Sequence, residues 1–154
     1  MKKHHQLLVL SLLFASAAAN ASLAQIPNPY TGCFASAANQ ARVSPLLLSA
    51  IGCIESRFNH KAVNNANANA SSDYGVMQIN SGELPRLAQK GIDVERLMDP
   101  CTNIHIGAEI LAQKIKSYGN TWQGVGAYNA KSEHKRQNYA WKVFKVMKSG
   151  ECRV

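Results

Sequence analysis

The chain has little of what marks non-globular or metal-binding proteins. Its 154 residues include only 10 glycines and 5 prolines, which excludes a low-complexity chain. Charged residues make up 17% against 46% hydrophobic residues, which excludes a disordered polyelectrolyte. No two cysteines have CxxC spacing, and neither a metal nor a cofactor is expected. Internal repeats and strand–helix alternation are also missing, so the length favours a single domain.

Acidic residues are scarce: 9 Asp and Glu face 17 Lys and Arg, which gives a net charge of +8. Such a charge alone allows nucleic acid, an anionic membrane or an acidic polymer as partner. However, most of the excess beyond the first segment lies in residues 131–154, and the middle of the chain is close to neutral. The basic end is either a solvated helix face or a surface that attracts an anionic partner. A nucleic-acid partner is not expected.

The first segment has the three parts of a secretory signal peptide. Two lysines precede the uncharged run Leu7–Ala19, and small residues follow, with Ala21 and Ala24 as suitable cleavage positions. The alternative is a membrane anchor, but the run is shorter than the roughly 20 residues that span a bilayer. We therefore expect a signal peptide over 1–24, export of the domain over 25–154, and no stable membrane span after cleavage.

Four cysteines follow the predicted cleavage site, at positions 33, 53, 101 and 152. An even number of cysteines in a small exported domain indicates disulfide bonds. Four cysteines form two bonds in any of three pairings, and their spacing does not choose among these.

The fold class predicted from apolar periodicity and capping residues is mainly α. A polar segment at about 57–80 is rich in Asn and Ser, which predicts an irregular region or a small β-hairpin. The rest forms a single helical domain. The predicted helices are 33–42, 45–56, 83–90, 93–98, 99–118, 121–129 and 133–148.

One helical face ends in a carboxylate. Leu48, Ile51 and Glu55 are spaced i, i+3 and i+7, so Glu55 lies on the inward face at the helix C-terminus. Apolar surroundings and the negative helix end both raise the pKa of a carboxyl group, which suits a general acid. In the alternative arrangement, Glu55 turns to solvent, towards Arg57.

Three sequence blocks stand around this carboxylate: Glu55-Ser56, the segment Gly75–Asn80 (GVMQIN) and the segment Ala127–Ala130 (AYNA). Together they resemble the soluble lytic transglycosylase (SLT) domains, in particular small exported members that accompany secretion, pilus and conjugation systems. The resemblance implies a lysozyme-like α+β fold and a periplasmic enzyme. Such enzymes cleave the β-1,4 bond between N-acetylmuramic acid and N-acetylglucosamine in peptidoglycan and leave 1,6-anhydro ends. The implied role is to open the wall locally for an apparatus.

The resemblance also implies roles for individual residues. Glu55 matches the catalytic acid, which protonates the leaving oxygen and then takes the proton of the muramic 6-hydroxyl. Ser56 is expected to polarise the acid or touch the substrate, and Tyr128 to hydrogen-bond near the acid. The implied substrate-binding set, with Met77 and Gln78 lining the groove, is Ser56, Asp73, Met77, Gln78, Asn80, Tyr128 and Asn129.

The stretch from Glu55 to Ser81 is also similar to C-type lysozymes, in which Asp73 matches a second carboxylate. Paired carboxylates would permit hydrolysis, so a muramidase using Glu55 and Asp73 is one alternative. In a structural role, Asp73 would instead bond nearby backbone amides in a turn. A further alternative is a non-catalytic peptidoglycan-binding assembly factor.

The likeness to small transglycosylases favours a Cys33–Cys101 bridge, which leaves Cys53 and Cys152 as the other pair. A monomer is expected. Trp122 and Trp141 either line the groove, since indoles stack on sugars, or pack against the core.

Overall fold

In the computed structural model, which describes residues 25–119 and 122–153, the chain forms mainly helices and one small antiparallel sheet. The predicted signal peptide lies outside these residues. The helices are α1 (Thr31–Ala41), α2 (Pro45–Ser56), α3 (Leu84–Ala88), α4 (Val94–Leu97), α5 (Pro100–Tyr118), α6 (Trp122–Gly126) and α7 (Glu133–Ser149). The strands are β1 (Val63–Asn64), β2 (Asp73–Tyr74) and β3 (Ile79–Asn80), and a single 3₁₀ turn spans Ser81–Glu83. The predicted mainly α, lysozyme-like fold class is confirmed.

Side-chain caps explain where the long helices begin. The hydroxyl of Ser44 accepts a hydrogen bond from the Leu47 amide at the start of α2, and Pro45 occupies the first turn. Asp99 caps α5 in the same way through the Thr102 amide. Both helices begin where the capping residues predicted.

Helix α6 is shorter than predicted. It ends at Gly126, and residues 127–130 turn back, with the Tyr128 amide bonded to the Val125 carbonyl at 3.1 Å. At Gly126 an added Cβ would lie 2.3 Å from the Arg136 carbonyl oxygen on α7. Only glycine permits this close approach of the two helices.

The polar segment forms a three-stranded sheet in the order β1-β2-β3. Its register pairs Asn64 with Asp73 and Asp73 with Asn80. Three polar side chains from distant parts of the segment therefore stand in one row.

The helices enclose the core from several sides: α1 packs on α5, α2 packs on α7, and α6 fills the angle between α5 and α7. Leu48 and Ile51 of α2 are fully buried, as the inward face predicted. Within the described residues, no helix is long and apolar enough to cross a membrane.

Two disulfides connect distant elements. Cys33–Cys101 joins α1 to the first turn of α5, and Cys53–Cys152 joins α2 to the segment after α7. These are the pairs that the resemblance implied.

Candidate active site

Glu55 lies in the last turn of α2, half-buried, and one of its oxygens, Oε1, accepts a hydrogen bond from the Tyr139 hydroxyl. Burial raises the pKa of Glu55 from 4.5 to about 7. The Tyr139 hydrogen bond lowers this pKa, the negative charge of Asp73 raises it, and the positive charge of Lys142 lowers it. The side chain is thus directed to Tyr139 on α7 rather than outward to solvent.

Tyr139 is buried on α7, and its pKa lies well above the ordinary value because of burial and the nearby negative charge of Glu55. The hydroxyl therefore keeps its proton and serves as a donor. Tyr139 was not among the site residues expected from the sequence. The available signal was that a buried tyrosine hydroxyl needs a polar partner.

The turn over residues 75–78 is fixed from α5 by one buried side chain. The Asn103 oxygen accepts from the Met77 amide at 2.7 Å, and its nitrogen donates to the Tyr74 and Leu97 carbonyls at 2.9 and 3.0 Å. Gly75 has a φ of 74°, and an added Cβ would lie 2.5 Å from the Asn103 amide. Asn103 was missed from the sequence because its partners lie far along the chain.

Ser56 connects α2 to the same turn. Its hydroxyl donates to the Val76 carbonyl at 2.8 Å, and no hydrogen bond joins it to Glu55 within the described residues. Ser56 thus positions the turn against the helix that carries the acid, instead of polarising the acid directly.

Met77 does not fill the role expected of it in the groove, and Gln78 is half-exposed in the same turn. The Met77 side chain has no exposed surface and packs close to Gly52 and Gly107, so the expectation that it lines a groove is wrong. The Gln78 nitrogen donates to the Gly75 and Ala62 carbonyls at 2.9 and 3.3 Å. That amide nitrogen holds its own turn together.

Tyr128 joins the third sequence block to the second. Its hydroxyl donates to the Met77 carbonyl at 2.9 Å. Burial raises its pKa well above the ordinary value, and the negative charge of Glu55 adds to this effect. Tyr128 therefore lies close to Glu55, while its neighbour Asn129 is exposed.

Asp73 is held by three side-chain amides. One oxygen accepts from Asn64 at 3.0 Å and Asn67 at 2.8 Å, and the other accepts from Asn80 at 2.7 Å. The bonds come from side chains on both neighbouring strands and on the loop after β1 rather than from the backbone amides of a turn. The Asn80 nitrogen also donates to the Ser71 hydroxyl at 2.8 Å, so it is already engaged at the position expected to bind sugar.

The chain matches a known protein family. The family profile described as "Transglycosylase SLT domain" matches residues 32–144. The chain belongs to this family. The resemblance seen in the three sequence blocks is thereby confirmed.

Several relatives of this SLT domain are more than a third identical to it over the aligned residues. Protein IpgF of Shigella flexneri is 39% identical over 73% of this chain and 77% of that protein. The invasion protein IagB of Salmonella typhimurium is 37% identical over 79% of each. The X polypeptide of Escherichia coli is 42% identical over 75% of this chain and 72% of that protein.

Among solved structures, the SLT domain resembles the lytic transglycosylase Slt of Pseudomonas aeruginosa with a TM-score of 0.67 and 21% identity. The similarity covers 81% of this chain and 24% of that one. At this identity the likeness shows the fold, and the present chain spans about a quarter of the larger protein.

In this SLT domain the three blocks meet around one carboxylate. The first block supplies Glu55, the second supplies the turn beneath it, and the third packs Tyr128 on that turn. The candidate site consists of three groups. These are the Glu55 carboxyl with its raised pKa, the Tyr139 hydroxyl that donates to it, and the nearby Asp73 carboxylate with its three amide donors.

Proposed function

We propose that the chain is a periplasmic murein lytic transglycosylase. It cleaves the β-1,4 bond between N-acetylmuramic acid and N-acetylglucosamine and leaves 1,6-anhydro-muramic ends. The observation that carries the proposal is the pKa of Glu55, which burial raises to about 7. A carboxylic acid with such a pKa retains its proton in a large fraction of molecules at neutral pH and can deliver it to a leaving oxygen.

The reaction uses Glu55 twice. Its proton passes to the glycosidic oxygen as the bond from that oxygen to muramic C1 breaks. The Glu55 carboxylate then takes the proton from the muramic 6-hydroxyl, and the freed oxygen bonds to C1 and closes the anhydro ring. The acid ends protonated, and no water is consumed. Between these steps the Tyr139 hydroxyl stabilises the carboxylate by donating to it.

The second candidate is a hydrolytic muramidase. It is favoured by one observation: the charge of Asp73 lies close enough to Glu55 to raise its pKa. Against it, both Asp73 oxygens already accept hydrogen bonds from amides. To attack a sugar carbon as a nucleophile, the Asp73 carboxylate would have to lose part of these hydrogen bonds.

The biological setting is part of the proposal. The segment over 1–24 is a signal peptide, and the mature domain acts as a monomer that opens the wall locally for a secretion, pilus or conjugation apparatus. The names of two relatives support this setting: the invasion protein IagB, and the peptidoglycan-binding-like protein of Escherichia coli O157:H7, which is 39% identical over 75% of this chain.

One digestion separates the candidates. The mature chain is incubated with purified peptidoglycan, and the new glycan ends are identified by mass spectrometry. Anhydro-muramic ends are expected, whereas reducing muramic ends would establish the hydrolase instead. Binding to peptidoglycan without products would leave the assembly factor as the function. Fractionation of cells that express the full chain tests export, and the mature domain is expected in the periplasm.

A further inference from the structure

Apart from the candidate active site, the molecule has a surface recess between α6 and α7. It encloses about 300 Å³ and lies on the outer side of α7, whose opposite face buries Tyr139 and Val143. The lining residues are Trp122, Gln123, Gln137, Ala140, Trp141 and Phe144.

Three large aromatic side chains stand exposed in this recess. Trp122 is 46% exposed, Trp141 61% and Phe144 37%. Both indoles pack edge-to-face on Phe144, with ring centroids 5.7 and 5.3 Å apart. Isolated exposed apolar residues are ordinary, but a cluster of three aromatic rings marks an interaction surface.

A basic edge adjoins the aromatic recess. A second depression, lined by Asn138, Trp141, Lys142 and Lys145, shares Trp141 with the first. Neither depression has an acidic side chain in its lining. The ion pairs found in residues 25–119 and 122–153 do not involve Lys142 or Lys145. The edge therefore offers positive charge to an acidic partner.

The lining is poorly suited to a glycan. A sugar carries hydroxyl and acetamido groups that need partners when buried, and the polar side-chain groups that line the aromatic recess are two amides and two indole N–H groups. One group of each amide is already engaged: the Gln123 oxygen accepts from Arg136 at 3.0 Å, and the Gln137 nitrogen donates to Glu133 at 3.4 Å. An apolar side chain makes no such demand.

We propose that this surface docks another protein. The partner inserts a bulky apolar side chain among Trp122, Trp141 and Phe144 and places carboxylates against Lys142 and Lys145. Large aromatic anchors with a charged rim are the usual composition of such a binding surface. Glu55 does not line the aromatic recess, but the basic edge is coupled to it, because the charge of Lys142 also lowers the Glu55 pKa.

The chain offers a direct probe, because its two tryptophans are both in the recess. Intrinsic fluorescence of the mature chain is titrated with a synthetic helical peptide that carries Leu and Phe at i, i+3 and i+7 and Glu at the flanking positions. A saturable blue shift is expected, and added salt is expected to weaken it. A matched peptide with Lys in place of Glu, and a tetramer of N-acetylglucosamine, serve as comparison probes.

Variants locate the binding. Trp141→Ala is expected to weaken the acidic peptide about tenfold or more, as truncation of an interface aromatic does, while Trp141→Phe retains most of the affinity. Lys145→Glu is expected to weaken binding and remove its salt dependence. Lys61→Glu makes the same charge change at an exposed lysine outside both depressions and should have little effect. Circular dichroism checks that each variant is folded.

Four results would overturn the proposal. These are a shift produced by the tetrasaccharide but not by the acidic peptide, equal binding of the Lys peptide, no shift with any probe, or equal weakening by Lys145→Glu and Lys61→Glu. Sedimentation of the mature chain as a dimer with shielded tryptophans would also do so, because a second copy would then occupy the surface.

Discussion

Glu55 ends a helix whose inward face is apolar, whereas Asp73 lies in a small sheet surrounded by amides. The first carboxylate has one hydroxyl donor and a pKa raised to about 7 by burial. The second accepts three hydrogen bonds from asparagine side chains. Two groups of the same chemical type thus differ: one holds its proton more tightly than a free carboxyl group, and the other is bound by three amide donors. Their surroundings make this difference.

The largest effect is expected from a substitution of Glu55, the first of the two carboxylates. Glu55→Gln keeps the shape of the side chain but removes the transferable proton, so peptidoglycan cleavage should fall by about a thousandfold or more. Release of soluble muropeptides measures the loss, and thermal unfolding checks that the fold is intact. Near-normal cleavage by this variant would end the assignment of Glu55 as the acid.

The second prediction concerns stability and pH. Because the folded pKa of Glu55 is raised from 4.5 to about 7, the folded state holds the proton more tightly, and stability falls as pH rises through this window. The full cost above pH 7 is about 3 kcal/mol. Glu55→Gln should remove this decline and be the more stable protein at pH 8. Urea unfolding of both proteins at pH 4.5 and pH 8 measures the difference; equal pH slopes would contradict the raised pKa.

The third prediction concerns Asp73. Asp73→Asn removes the negative charge that raises the Glu55 pKa, so the alkaline fall in kcat/KM should move to lower pH. Cleavage near neutral pH should therefore fall, because a smaller fraction of Glu55 holds its proton, but by far less than in Glu55→Gln. Asn67→Ala is the matched control, because it removes one of the three amides that donate to Asp73 and keeps the charge of Asp73. A loss by Asp73→Asn as complete as that by Glu55→Gln would favour the paired-carboxylate route.

The fourth prediction is a shift of the opposite sign. Tyr139→Phe removes the hydrogen bond that lowers the Glu55 pKa, so the alkaline fall in kcat/KM should move to higher pH. The same pH–rate profile measures this change. A shift in the same direction as Asp73→Asn would show that the two residues do not act on the acid as described.

Local signals accounted for most of the helical part of this fold. Caps at Ser44 and Asp99 and the apolar face of α2 predicted where helices begin and where Glu55 lies. The sheet was visible only as a polar segment, because strands of two residues are too short to show alternation. Helix α6 was predicted too long, since its end depends on close contact with α7.

The residues of the candidate site were also predicted only in part. Glu55 was found from helical periodicity, whereas Asn103 and Tyr139 were missed because their roles depend on partners 26 and 84 residues away. Met77 was assigned to the groove from its place in a sequence block. In the structure its backbone belongs to the turn, while its side chain belongs to the core.

The Cys53–Cys152 bond joins the helix of the acid to the segment that follows the helix of its hydroxyl donor. The two cysteines have a sequence separation of 99. Such a cross-link lowers the entropy of the unfolded chain and thereby stabilises the fold by about 4 to 5 kcal/mol. In a reducing compartment that contribution is lost, and the pairing of α2 with α7 is correspondingly less secure. The acid and its hydroxyl donor are therefore held together most firmly where the two cysteines are oxidised.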